Sequence, residues 1–326
     1  MYYSIRHMTR FRYSMPISAS IMEVRMRPRT DNLQRCLDFQ LRTSPRSQIM
    51  SYRDYLGNTV HHFDVPGLHT HLTITAEALV ELIPPAPIPE ALEPTAWEAL
   101  DELTHDGGFY DMLMPSHFAQ PTRRLQDLAH ELRIERRDDP LSLLREINSA
   151  VYYSFAYVSQ STEVDSPIDD ALRTRKGVCQ DFSHVMIALV RTLRIPCRYV
   201  SGYLFHRVED HDRSEEDATH AWVEAFLPDL GWVGFDPTNN LIASERHIRT
   251  AFGRDYADVP PTRGVFKGDA KSELDVAVQV TPTEAPPEEE LLPPVEWTPI
   301  DTEEADLLKQ QQQEQQDQQQ QQQQQQ

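Results

Sequence analysis

Three cysteines in 326 residues, Cys36, Cys179 and Cys197, are too few to staple a disulfide framework. Their odd number leaves at least one free thiol and fits a reducing compartment, so a cytoplasmic location is expected. Long apolar runs are missing as well. No stretch approaches the 18 or so consecutive apolar residues of a transmembrane helix. The opening residues, Met1-Tyr2-Tyr3-Ser4-Ile5-Arg6-His7, lack the apolar core and small-residue cleavage site of a signal peptide. Positive charge is scarce: 31 Lys and Arg stand against 51 Asp and Glu, a net of −20. Nucleic acid and anionic membranes are bound by basic surfaces that displace counterions, so neither is an expected partner.

What is present divides into four segments. Residues 1–82 alternate apolar and polar side chains at Tyr3, Ile5 and His7, at Met22, Val24 and Met26, at Leu37, Phe39 and Leu41, and at Leu72, Ile74 and Ala76. Such period-two runs, separated by Pro, Asp, Asn and Gly, predict an antiparallel β-rich domain, with a hairpin turn at Gly57-Asn58. Residues 83–96 are Pro-rich and read as a linker. Residues 97–280 mix helix and strand, which makes the whole an α+β protein. Residues 281–326 hold 11 acidic side chains, one Lys and a Gln run, and are expected to form a disordered tail that carries about half of the net charge. Trp297 is its one aromatic residue.

Within 97–280, helical spacing appears at Leu125, Leu128, Ala129 and Leu132, and again at Leu141, Leu144, Ile147 and Val151 after Pro140. The strongest helix runs over 179–193, with Phe182, Val185, Met186, Leu189, Val190 and Leu193 on one face. Strand-like runs follow at 197–205, 219–226 and 232–236. The chain after residue 250 reads as irregular, up to a strand over 274–280.

The candidate chemistry begins where the strongest helix begins. Cys179 sits at its N-terminus, where the macrodipole and free backbone N–H groups favour a thiolate and can stabilise an oxyanion. A nucleophilic Cys needs a base, and the base needs an orienting partner. His220, Trp222 and Glu224 share one face of their strand; Trp232, Gly234 and Asp236 share one face of the next. A hairpin centred on residue 228 would set His220 opposite Asp236, Trp222 opposite Gly234 and Glu224 opposite Trp232. Cross-strand Cβ atoms on one face lie about 4.5–5.5 Å apart, within imidazole–carboxylate range. A bulge at Gly231 would shift this register.

The runs that carry these residues resemble the bacterial transglutaminase-like superfamily. They are Gly177-Val178-Cys179-Gln180-Asp181-Phe182-Ser183-His184, Arg194-Ile195-Pro196-Cys197-Arg198-Tyr199-Val200-Ser201-Gly202-Tyr203, Thr219-His220-Ala221-Trp222-Val223-Glu224 and Gly231-Trp232-Val233-Gly234-Phe235-Asp236-Pro237-Thr238-Asn239. Residues 253–264 look like the same group's C-terminal motif, and residues 1–82 resemble the β-rich domain that precedes its core. The resemblance implies a papain-like α+β core with Cys179 as nucleophile, His220 as general base and acid, and Asp236 as orienting group. It departs at Ser183, where similar sequences usually carry Ala. It implies attack on a peptide, isopeptide or carboxamide carbonyl through a thioester, with a protein or peptide substrate and, for transfer, a primary amine. Hydrolysis is favoured over cross-linking. The other reading is a peptide-binding module that uses the same fold without catalysis.

Several further side chains carry two readings. His61, His62, His69 and His71 invite a metal, with His69 and His71 on one strand face, but no carboxylate or thiol falls at a zinc spacing, and a polar sheet face is the expectation. His184 is expected to be structural, Asp181 to cap or bond locally, and Arg254-Asp255-Tyr256 to form a salt-bridged clasp. Cys36 and Cys197 are expected to be packed residues. No dinucleotide, phosphate-loop or His-Glu-x-x-His motif is present, and no calcium loop, so no cofactor or metal is implied.

Overall fold

The computed structural model describes residues 1–105, 107–207 and 209–285. Of the tail expected over 281–326, residues 281–283 instead belong to the last strand, and residues from 286 onward, with Trp297, lie outside the described residues. In chain order the elements are β1 (Tyr2–Val24), β2 (Gln34–Ser44), β3 (Met50–Arg53), β4 (Thr59–Leu82), α1 (Ala96–His105), α2 (Tyr110–Leu113), α3 (Arg123–Glu131) and α4 (Pro140–Ser154). Then come β5 (Ala156–Tyr157), α5 (Ile168–Thr174), β6 (Lys176–Gly177), α6 (Cys179–Thr192), β7 (Cys197–Leu204), β8 (His220–Leu227) and β9 (Gly231–Asp236). The last are β10 (Leu241–Ile242), β11 (His247–Gly253), a short 3-10 turn (Tyr256–Asp258), β12 (Thr262–Lys267) and β13 (Ser272–Thr283). The fold is α+β, an antiparallel N-terminal sheet beside a core of helices packed on a second antiparallel sheet.

The alternation in residues 1–82 produces two long strands, β1 and β4, paired along most of their length, with β2 and β3 on the far edge of β4. Irregularities between Arg12 and Ile17 break the pairing and change which residues face inward. His69 and His71 therefore do not share a face. His69 is buried and bonded to Gly67 O and Ser20 Oγ, whereas His71 is exposed. One inserted residue reverses every side chain beyond it.

The other edge of β1 is covered by the far end of the chain. Residues 2–13 pair with β13 and residues 19–24 with β12. Residues 262–280, placed with the core by sequence, thus complete the N-terminal sheet instead. The alternation of Leu274, Val276 and Val278 specifies a strand but not its neighbour, so tertiary packing decided the matter. The segment read as irregular after residue 250 likewise holds β12 and the end of β11.

In the core, α6 lies against β7, β8 and α4, and nearly all of it is buried. Phe182, Val185, Met186 and Leu189 meet Tyr199, Ala221, Val223 and Ala225 of the sheet, whose strand order is β10-β9-β8-β7-β11. Each such side chain contributes about 1.5–3 kcal/mol by leaving water. Asp139 begins α4 by accepting from the Leu141 and Ser142 N–H groups, a cap of about 1 kcal/mol, with Pro140 in the first turn.

Two buried amides fix the sheet to the core. Gln34 donates to Arg29 O and Arg249 O and accepts from Arg249 N–H; Asn58 donates to Phe252 O and accepts from Phe252 N–H and Arg29. The bonds to Arg249 and Phe252 cross to the main chain of β11, and those to Arg29 tie both amides to one N-terminal segment.

Candidate active site

Cys179 is the first residue of α6, half-buried, preceded by Val178 in extended conformation. The helix starts here because Asp181 turns back: its carboxylate accepts from Val178 N–H at 2.8 Å and from the Thr162 hydroxyl at 2.6 Å. Burial pushes the Asp181 pKa up, against the pull of those two bonds. A Cβ on Gly177 would come within 2.7 Å of Asp181 Cβ, so glycine is required before the helix. Asp181 thus does the local bonding expected of it. Ser183 donates to Cys179 O one turn back, which accommodates the hydroxyl at a position where Ala is usual.

His220 begins β8 and Asp236 ends β9. The hairpin register pairs Glu224 with Gly234, Ala225 with Val233 and Phe226 with Trp232, two residues from the spacing expected from a turn centred on 228. Asp229 and Gly231 adopt positive φ (61° and 71°), giving a three-residue loop, 228–230. An even shift preserves the face of every side chain. Continued to the strand ends, this register puts Asp236 opposite Trp222 and diagonal to His220, and the pair still meets: His220 Nε2 donates to Asp236 Oδ2 at 2.7 Å. The glycine at 234 makes room for a different neighbour than expected: an added Cβ would lie 2.5 Å from Ala243 Cβ but 3.6 Å from the Trp222 indole, an ordinary contact. Trp222 is fully buried and stacked beside His220 at 6.0 Å.

Asp236 is saturated. Oδ1 accepts from the N–H groups of Thr238 (3.0 Å) and Asn239 (3.2 Å), and Oδ2 from the Asn239 side chain (2.9 Å) and from His247 Nε2 (3.2 Å) as well as His220. His247, at the start of β11, did not stand out in the sequence, because the sequence pattern assigns no element to residues 237–250 and only the end of β11 falls in the stretch read as irregular. The only available signal was the alternation of His247 and Arg249 with Ile248 and Thr250. Its Nδ1 accepts from Ser244 N–H, so the proton sits on Nε2 and the ring is neutral.

Burial disfavours charge on His220, but the Asp236 carboxylate, its hydrogen bond, and Cys179 outweigh burial and push the pKa up to about 10. Burial works against the Asp236 anion too, yet His220 and then His247 hold that carboxyl well below the usual range. Burial lowers the pKa of His247 despite the same carboxylate. One carboxylate therefore faces one cationic ring and one neutral ring. Nitrogen and oxygen atoms of His220, Asp236 and His247 all lie within 4.8 Å of one another, a spacing that could hold a metal ion. The proton that Ser244 forces onto His247 Nε2 fits a hydrogen-bonded carboxylate better than a ligand set.

His220 Nδ1 has no hydrogen-bond partner among the described residues. With Nε2 committed to Asp236, Nδ1 is the ring edge left for Cys179, and both residues line one cavity of about 260 Å³. Tyr157, Tyr199 and Tyr256 line it too, as do His7, Thr9, Leu274 and Val276 of the N-terminal sheet. Burial and the Cys179 charge push all three phenol pKa values up, so they stay protonated.

The other candidates fall outside this group. His184 is fully buried, stacks on Phe118, accepts from Tyr256 N–H and is pushed down to about 3 by burial, a structural side chain as expected. The clasp differs from expectation: Arg254 pairs with Asp258 at 2.9 Å, while Asp255 accepts from Ala257 and Phe118 N–H groups. Asp258 lies one turn on from Arg254, in reach of the same i,i+4 geometry used in helices. Cys197 is buried, with its thiol pushed up to about 11; Cys36 is half-buried on β2. No group of metal-ligating side chains forms at His61, His62, His69 and His71 among the described residues.

Comparison with known proteins places the chain. Residues 126–237 match the transglutaminase-like superfamily and residues 3–81 the bacterial transglutaminase-like N-terminal region. An uncharacterized protein of Mycobacterium leprae is 33% identical over 281 residues, covering 84% of this chain and 96% of the relative. A protein-glutamine gamma-glutamyltransferase of Pseudomonas aeruginosa is 28% identical over 141 residues, 42% of this chain and 20% of that protein. A crystal structure of a proposed cysteine protease from Cytophaga hutchinsonii superposes with a TM-score of 0.67 at 23% identity, over 88% of this chain and 93% of that one, which shows a shared fold. The chain belongs to the transglutaminase-like superfamily and has the fold of its cysteine enzymes. No helix among the described residues is long and apolar enough to cross a membrane.

Proposed function

We propose that this protein is a cysteine acyl-transfer enzyme that hydrolyses peptide, isopeptide or side-chain carboxamide bonds. The observation that carries the proposal is the His220 ring, bonded to Asp236 through Nε2 and open toward Cys179 through Nδ1 in one cavity. The Cys179 thiolate attacks the carbonyl carbon, and the electron pair moves to oxygen. The N-terminus of α6 supplies N–H groups for that oxyanion. The C–N bond then breaks as the His220 imidazolium gives its proton to the leaving ammonia or amine. A thioester remains, and His220 removes a proton from water to release the acid and regenerate the thiol. Asp236 holds the ring's tautomer and orientation throughout, and His247 positions Asp236.

A primary amine in place of water gives transamidation by the same steps. The name of the Pseudomonas relative favours that outcome, and the name of the Cytophaga protein favours hydrolysis. The intact Cys179, His220 and Asp236 disfavour a purely peptide-binding module. Three unpaired thiols suit a reducing, cytoplasmic setting. Iodoacetamide at pH 6, with the adduct located by mass spectrometry, tests the core of the proposal. Preferential labelling of Cys179 that is lost in His220→Ala is expected; equal slow labelling of all three cysteines overturns it. Peptide incubation with and without a primary amine then separates the outcomes. Product acid without amine incorporation is expected, and incorporation assigns transfer.

A further inference from the structure

The cavity at Cys179 has a wall that the core does not supply. Leu274 and Val276 of β13 line it, and both are exposed, at 53% and 41%. β13 is an edge strand: one side pairs with β1, Val278 opposite His7 and Val276 opposite Thr9. Its other side makes one main-chain bond among the described residues, from Val278 N–H to Asp217 O at 2.8 Å. That bond fixes the phase. In an antiparallel pair the N–H and C=O of alternate residues turn away from the partner. Since Val278 turns outward, so do Val276 and Leu274. Pro282 fits the same phase, because an outward position needs no N–H toward β1. The main-chain groups of Val276 and Leu274 thus form an open strand edge beside the nucleophile, in line with Asp217, three residues before His220.

We propose that the substrate is an extended peptide that adds as a strand to this edge, bonding the main chain of Val276 and Leu274 while its carbonyl lies at Cys179. Strand addition would pair main-chain groups that this exposed edge now offers to solvent beside the nucleophile. The occupant is uncharged or cationic where it passes the mouth: Glu215 lines the cavity, Glu216 and Asp217 follow it, and no Lys or Arg is among the lining residues. This inference rests on the proposed role of Cys179, and it assigns part of substrate selection to the N-terminal sheet.

The test compares two alkylating agents on the full chain: iodoacetamide, which meets only the thiol, and acetyl-Val-Ala-Ala chloromethyl ketone, which presents a strand. The ketone's carbon bonds to Cys179 Sγ and chloride leaves. Val276→Pro removes one outward N–H, as Pro282 already does. It is expected to slow the peptide ketone at least tenfold relative to iodoacetamide, whereas Val276→Thr, which keeps the outward N–H, is expected to slow it far less. N-methylation of successive amides of the ketone, assayed on the unaltered protein, is expected to alternate between loss and retention of rate. This second series decides the matter if Val276→Pro fails to fold. A peptide ketone indifferent to both changes, whether because residues 286–326 cover the edge or because the substrate lies elsewhere, overturns the inference. Absence of selective iodoacetamide labelling at Cys179 would instead remove the underlying reading.

Discussion

The two halves of the cleft are built in opposite ways. On one side, Cys179, His220 and Asp236 come from α6 and the adjoining hairpin strands β8 and β9, which lie close in sequence and pack directly. On the other, His7 and Thr9 from β1 stand beside Leu274 and Val276 from β13, strands from opposite ends of the described chain. On the first side His220 and Asp236 are buried and bonded to each other beside a half-buried Cys179; on the second, His7 and Thr9 are buried but Leu274 and Val276 are exposed. On the proposed reading the two sides have separate tasks: the core holds the reacting atoms, and the sheet presents what is brought to them.

That division can be broken most sharply at Cys179. Cys179→Ala is expected to abolish turnover, a loss of about 10⁴-fold or more, with the thermal midpoint unchanged in calorimetry. Residual activity would move the chemistry elsewhere. Asp236→Asn should follow, with kcat/KM down about 10³-fold. It also carries a pH signature. The carboxylate raises the pKa of His220, so removing its charge lets the imidazolium lose its proton at lower pH. The alkaline limb of the rate profile should move down, and a fixed limb would deny the ion pair its role. Gly202→Ala tests the packing behind the site. The added Cβ would lie 2.1 Å from Ile248 O and 2.7 Å from the Trp222 ring, with backbone on one side unable to yield. A cost of about 3 kcal/mol in urea unfolding is expected. His247→Ala should lower kcat about tenfold, with substantial recovery in His247→Gln, which keeps a donor for Asp236; failure to recover would make the residue a packing element. The smallest effect belongs to the outer sheet. Arg12 reaches Asp275 at 3.1 Å, but both are more than half exposed, so Arg12→Ala should cost under about 0.5 kcal/mol and leave activity unchanged.

The same contrast explains what could be read before any coordinates. Cys179 at a helix start was legible because the apolar spacing of Phe182, Val185, Met186 and Leu189 is local. The meeting of His220 with Asp236 was legible through parity alone: an error of two residues in register leaves faces intact, whereas an error of one would have separated them. The three-residue loop was missed because positive φ at Asp229 is not dictated by its side chain. His247 was missed because its contact with Asp236 joins strands that are not neighbours in the sheet. The placement of β12 and β13 was missed for a related reason. A strand's pattern reports which of its faces is buried and is silent on which strand it lies beside. His69 and His71 show the cost of an unseen bulge, since their spacing was correct and their facing was not.

The pairing of β1 with β12 and β13 also sets a schedule. A ribosome delivers Tyr2–Val24 long before Ser272–Thr283, so β1 has one bare edge until β12 and β13 follow. The core hairpin and α6 can assemble while that edge waits. A nascent chain would therefore hold Cys179 and His220 before it holds the strand that completes one wall of their cavity.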